Sequence, residues 1–139
     1  MASKLSGGCA CGAIRYESDA EPTVMLNCHC SDCRKASGSG HAAIVIVQKS
    51  TLQLSGEARF HELRGGSGGT IERGFCPDCG SPLFVRLERF PNVLGVQTGS
   101  LDDPALHKPS MDLYTDSAPA WDMMGPETRK FARGPFGIA

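Results

Sequence analysis

Cys28-His29-Cys30-Ser31-Asp32-Cys33 holds three thiols in six residues, and Cys76-Pro77-Asp78-Cys79 repeats its three-residue spacing downstream. A thiolate is a soft anionic ligand that suits Zn²⁺. In an extended segment side chains alternate between faces, so Cys28 and Cys30 point one way and His29 the other. A turn through Ser31 and Asp32 then returns Cys33 to the same point. One short loop can therefore deliver three sulfurs to one ion. Structural zinc is closed by four protein ligands, whereas catalytic zinc keeps three and leaves a position open.

The chain has seven cysteines, an odd number that cannot all pair as disulfides. They fall into three tight groups, Cys9/Cys11, Cys28/Cys30/Cys33 and Cys76/Cys79. The count divides into four plus three, one closed site and one open site. A single short pair has a plainer reading as chance or as a redox couple, but three such groups together favour metal.

Composition narrows the remaining classes. The chain has 139 residues, one domain's worth, and we expect a single zinc-binding domain over 1–139. Apolar residues make up 40% and charged residues 21%, the balance of a globular rather than a disordered chain. The formal net charge of -1 shows no basic excess, so no nucleic-acid partner is expected. The longest apolar run, Ala42 to Val47, is far too short to span a membrane, and Met1-Ala2-Ser3-Lys4 lacks the apolar stretch of a signal peptide. The expected location is the cytoplasm, where thiols stay reduced.

Along the chain, Ala13 to Glu17 alternates as a strand, and Thr23 to Cys28 reads as a second strand that delivers the thiol cluster. Arg34-Lys35-Ala36 suits a helical turn, and Ser37 to Gly40 a flexible loop. The β-branched stretch Ala42 to Gln48 reads as a buried central strand. Thr51 to Leu54 and Glu57 to Leu63 flank Ser55-Gly56 as a hairpin would. Gly65 to Gly69 lacks a phosphate-binding motif and reads as a mobile turn near the site. Further strands are expected at Thr70 to Phe75, Pro82 to Leu87, Asn92 to Thr98, with Gly95 as a bulge, and Met111 to Thr115. From Ser117 onward, Pro and Gly promise little regular structure. The fold class is mainly β.

The knuckle Cys76-Pro77-Asp78-Cys79-Gly80 aims two sulfurs at one point, and Gly80 can take the positive φ such a turn needs. It requires a second pair. Cys9/Cys11 would complete four sulfurs and leave the middle trio alone. The rival is a zinc ribbon joining Cys30/Cys33 to Cys76/Cys79. A contiguous trio closes shorter loops at less entropic cost, which favours the first grouping.

Gly8-Cys9-Ala10-Cys11-Gly12, Cys28-His29-Cys30-Ser31-Asp32-Cys33-Arg34-Lys35, Gly38-Ser39 and Phe75-Cys76-Pro77-Asp78-Cys79-Gly80 together resemble the glutathione-dependent formaldehyde-activating enzyme family, whose eukaryotic relative is centromere protein V. The resemblance runs from Gly8 to about Trp121. It implies a zinc-stapled complex-β fold, similar to that of methionine sulfoxide reductase B. It also implies two zinc ions, a structural one on Cys9, Cys11, Cys76 and Cys79 and a catalytic one on Cys28, Cys30 and Cys33. The implied activity is that of a carbon–sulfur lyase, joining formaldehyde or a related carbonyl to glutathione to give S-(hydroxymethyl)glutathione.

Zinc held by three thiolates can take a substrate thiol in its open position and lower that thiol's pKa. His29 and then His41 are the candidates for a general acid, although strand alternation turns His29 away and a buried histidine is an equally good reading of it. Arg34 and Lys35 are placed to meet the carboxylates of glutathione or a glutathione adduct, or else form a solvated face. Trp121 suits a pocket wall or core packing, and Asp122 has no role that the sequence supplies. Two other functions remain open at this point: a zinc-stabilised binding module without activity, and a thiol redox or zinc-buffering protein.

Overall fold

In the computed structural model the described residues, 4–65 and 69–134, form eleven strands and a single α-helix. β1 (Leu5–Gly8), β2 (Arg15–Ser18) and β5 (Gln53–Ser55) make a small sheet in the order β1-β2-β5. The other eight strands are β3 (Val24–Cys28), β4 (Ala42–Gln48), β6 (Arg59–Arg64), β7 (Thr70–Phe75), β8 (Pro82–Leu87), β9 (Val93–Gln97), β10 (Met111–Leu113) and β11 (Arg129–Lys130). They form one sheet in the order β11-β10-β3-β4-β9-β8-β7-β6. The chain is mainly β, and no helix is long and apolar enough to cross a membrane.

β4 lies inside the large sheet because both of its faces are apolar. Val45 and Val47 point to one face and join Phe84, Leu94 and Val96. Leu5, Ile14 and Tyr16 close this cluster from the side of the small sheet, with Tyr16 packed edge-to-face on Phe84 at 5.5 Å between ring centroids. Ala42 and Ile44 point to the opposite face and cluster with Cys28, Cys33, Val85 and Leu113. The thiol trio is thus set at the end of an apolar sheet face, with half-buried Leu26, Ile46, Ile71, Leu87 and Met111 beyond it.

Several expectations need correction. β5 and β6 do not pair with each other: β5 joins β2, whereas β6 pairs with β7, so the chain passes between sheets at Gly56 rather than turning back as a hairpin. Leu5–Gly8 is a strand that its two glycines hide. Gly95 is not a bulge: it stays in register with Ile46 and Val85, and the irregularity falls at Gly74/Phe75. A Cβ at Gly95 would come within 3.2 Å of Ile44 Cγ2 and Val85 Cβ, so close packing explains the glycine. The helix α1 (Ser31–Ser37) starts inside the thiol cluster and takes up Ser37 from the expected loop. The strand expected to reach Thr115 ends at Leu113, before Tyr114 at φ 56. Residues 66–68 of the glycine-rich turn lie outside the described residues.

Truncation in the first cluster should be costly. Phe84→Ala should lose about 3–5 kcal/mol of unfolding free energy, whereas Phe90→Ala, at a residue 44% exposed, should change it by less than about 1 kcal/mol. Urea titration followed by circular dichroism measures both.

Candidate metal centres and the residues that position them

Two turns of similar build face each other. In the first, Gly12 N–H donates to Cys9 O at 3.2 Å and Ile14 N–H donates to Cys9 Sγ at 3.3 Å. In the second, Gly80 N–H donates to Cys76 O at 2.8 Å, and Cys79 Sγ lies 3.2 Å from Ser81 Oγ. Gly12 at φ +83 and Gly80 at φ +79 take the left-handed conformation that closes each turn. Ala10 N–H donates to Ser81 Oγ at 3.0 Å and ties one turn to the other.

The ligand atoms of Cys9, Cys11, Cys76 and Cys79 all lie within 4.8 Å of one another. Cys9 Sγ is 3.6 Å from Cys11 Sγ, and Cys11 Sγ is 3.8 Å from Cys76 Sγ. Four thiolates around tetrahedral zinc, with Zn–S near 2.3 Å, stand about 3.8 Å apart. The donor set and its spacing therefore fit zinc. The crowding redistributes charge. Hydrogen bonds from Ser81 hold the Cys79 thiol down to about 5. Cys11 stays at about 12: the Ala13 N–H lowers it, but Cys9, burial and the other sulfurs outweigh that bond.

The second group is Cys28, Cys30 and Cys33, whose sulfurs also lie within 4.8 Å of one another. Cys28 ends β3, and Cys30 is the N-cap of α1, its sulfur accepting from Cys33 N–H at 3.3 Å. Helix and strand thus bring the three sulfurs together on one side. Hydrogen bonds from Cys28 and Cys33, with backbone N–H groups at the helix start, hold Cys30 down to about 2. Cys28 is pushed up by its bonds to Cys30 and Cys33 and by burial. Cys33 sits at about 11: its bond with Cys28 lowers it, but Cys30 and burial outweigh that.

His29 faces the opposite way, fully buried. Its Nε2 is 2.7 Å from Asp112 Oδ1, and its Nδ1 is 2.7 Å from Asp122 Oδ2. Its backbone N–H donates to Leu113 O at 2.9 Å. His41 Nδ1 reaches the same Asp122, at 2.8 Å from Oδ1. Asp122 fits there because Gly40 has no side chain: a Cβ would stand 2.5 Å from Asp122 Cγ. His29 is therefore an anchor held from both ring nitrogens, and the two cysteines beside it take their pitch from it. His29, His41 and Asp122 also bring three metal-capable donors within 4.8 Å of one another, but at hydrogen-bond spacing.

The remaining candidates are more scattered. Arg34 Nη1 donates to the Ser117 carbonyl at 3.4 Å, and Lys35 is exposed. Trp121 is 68% exposed, so it is not a core residue. A cleft of about 640 Å³ passes Cys9, Arg15, Ser37 and His41 but not the trio. The groups that do meet the trio were not singled out in the sequence. Arg73 of β7 sends Nη2 to within 3.8 Å of Cys33 Sγ. Tyr114, with a left-handed backbone at φ 56, packs against the trio's cluster, and its phenol is pushed up by burial and then by the three sulfurs. The register of β10 against β3, with Leu113 opposite Cys28, explains Tyr114. No local motif marks Arg73, Asp112 or Asp122.

Burial raises the Asp112 carboxyl, but hydrogen bonds from His29, Thr128 and Asn27 outweigh it and leave the group below its ordinary value of 3.8. Its contribution to stability is complete above that value and is lost as pH falls through the folded-state value. Asp112→Asn should therefore flatten the acid limb of the stability–pH curve below about pH 4, and should cost roughly 3 kcal/mol at pH 7 by removing one of the two carboxylate charges that grip the buried His29 ring. Urea midpoints between pH 2 and 7 test both effects.

The family model for glutathione-dependent formaldehyde-activating enzyme matches residues 4–117. A Halomonas elongata protein named "Putative glutathione-dependent formaldehyde-activating enzyme" is 30% identical over 131 residues, covering 84% of this chain and 78% of that protein. A Penicillium rubens protein of the same name is 32% identical over 83 residues, covering 58% of this chain and 43% of its own length. Among solved structures, a Rhodobacter sphaeroides protein shares the fold, with a TM-score of 0.58 and 23% identity over 75% of this chain and 96% of its own. With its cysteine groups placed as described, the chain belongs to the glutathione-dependent formaldehyde-activating enzyme family.

Proposed function

We propose that this chain is a zinc-dependent carbon–sulfur lyase that joins formaldehyde, or a related carbonyl compound, to glutathione in the cytoplasm. One observation supports this above the rest: four sulfurs gather in one group and three in another, apart from them. In this reading Cys9, Cys11, Cys76 and Cys79 hold a structural zinc, and Cys28, Cys30 and Cys33 a catalytic one. The family name of the relatives supports glutathione as the thiol.

Bound by the trio, zinc would leave one coordination position for a substrate sulfur and would favour its thiolate form near neutral pH. The overall reaction adds S–H across C=O: a carbon–sulfur bond forms, the carbonyl π pair moves to oxygen, and that oxygen takes the proton. The chain's own part is to orient and to neutralise. The His29 anchor keeps Cys28 and Cys30 on one side. The apolar wall of Ile44, Val85 and Leu113 limits water around the sulfurs. Arg34 and Lys35, on α1, are proposed to meet a carboxylate of glutathione.

Two ions per chain should leave at different rates under a chelator, the open site first, as elemental analysis at timed intervals will read. One ion per chain, or two lost together, contradicts the division. Cys79→Ser should lower the Tm more than Cys30→Ser, by at least about 5 °C, because the first breaks a site that joins distant segments and the second a local one. The reverse order in thermal melts of the zinc-loaded variants contradicts the assignment.

A further inference from the structure

Arg73 is set where a substrate bound at the trio would meet it. It lies on β7 between Ile71 and Phe75, which point to the same sheet face by strand alternation. Across the sheet it pairs with Val85, a member of the apolar cluster that contains Cys28 and Cys33. Its Nη2 lies 3.8 Å from Cys33 Sγ, forty residues away in the chain. Arg73 is the one cation whose side chain is hydrogen-bonded to a trio sulfur among the described residues.

What the guanidinium lacks is a carboxylate. Two other arginines of these sheets hold carboxylates of their own: Arg15 meets Asp102, and Arg86 meets Glu72 and the Phe60 ring. Glu72 is next to Arg73 in sequence but alternates to the other face, where it meets Arg86. Among the described residues Arg73 has no ion pair and no hydrogen bond other than the one to Cys33. Its other nitrogens are not sealed in the interior either, since Arg86 Nε is the buried side-chain nitrogen left without a partner. A guanidinium has five N–H donors in a rigid fork that matches a carboxylate. One of them makes a weak contact to sulfur, so about four are without a partner among the described residues.

We infer that Arg73 is the anion-binding residue of the three-cysteine site, and that the thiol the site selects is an anionic one, bringing a carboxylate to this guanidinium while its sulfur meets Cys28, Cys30 and Cys33. The inference rests on the reading of the trio as an open metal site, and it adds a requirement that the reading lacks. Arg34 and Lys35, on α1, would serve one of the two carboxylates of glutathione, whereas Arg73 would serve the other. A neutral thiol of the same size would fill the same position without using Arg73.

Binding measured without turnover tests this. Protein loaded with cobalt is titrated with mercaptoacetate and with 2-mercaptoethanol, two-carbon thiols with and without a carboxylate, and thiolate-to-cobalt absorption reports each dissociation constant. Arg73→Gln should weaken mercaptoacetate binding by about ten- to a hundred-fold, the range of a charged hydrogen bond, and 2-mercaptoethanol binding by less than about two-fold. Arg73→Lys, which keeps the charge without the fork, should fall between, and the wild-type preference should shrink as salt rises. Equal weakening of both thiols in Arg73→Gln, with cobalt still bound, overturns the inference and leaves Arg73 as a counter-charge to the sulfurs. No change for either thiol overturns it as well. A wild-type protein that takes cobalt at the trio yet binds neither thiol overturns the open-site reading, and this inference with it.

Discussion

The convergence of four sulfurs from two distant turns is the constraint on which the rest of this structure depends. Cys11 and Cys76 are 65 residues apart, yet their sulfurs stand 3.8 Å from each other. The first turn follows β1 of the small sheet, and the second joins β7 to β8 in the large one. Holding the turns together fixes one sheet against the other along the Tyr16–Phe84 contact. A chain of this length buries a modest core, so a metal cross-link at these four sulfurs would weigh heavily in its stability. Were these four cysteines to hold one metal ion, the trio would remain for a second.

The trio depends in turn on what lies behind it. Past the end of β3 the extended backbone turns Cys28 and Cys30 to one side and His29 to the other, and two carboxylates grip the His29 ring. Asp112 arrives from β10, the parallel neighbour of β3, and Asp122 from the segment after residue 117, beyond the part matched by the family. A buried polar network of this kind is favourable only when its members are satisfied. Here Thr128 and Asn27 supply further bonds to Asp112, and His41 a second bond to Asp122. The segment after residue 117 therefore contributes to the position of residues in the first third of the chain.

The metal-capable residues were readable because their signal is local. A thiol repeated at two- and three-residue spacing, with a glycine after each of the turns at Cys11 and Cys79, specifies its own geometry. The strands at β4, β7 and β8 were readable for the same reason, as short runs with strong alternation or β-branching. What the sequence hid was long-range. β1 hides behind two glycines, and β5 and β6 look like a hairpin because strand pairing across sheets leaves no mark on neighbouring residues. Arg73 is one charge in an alternating strand, and only the fold brings it to Cys33. Asp122 looked idle because its partners, His29 and His41, lie more than eighty residues before it.

A closed four-sulfur site beside an open three-sulfur site is the claim that zinc-edge X-ray absorption addresses most directly. With two zinc ions bound and no thiol added, the account predicts an average of about 3.5 sulfurs per zinc, with the balance made up by oxygen or nitrogen. Millimolar glutathione should raise the average to about 4 sulfurs per zinc. An average of 4 before glutathione, or one that glutathione leaves unchanged, would contradict it.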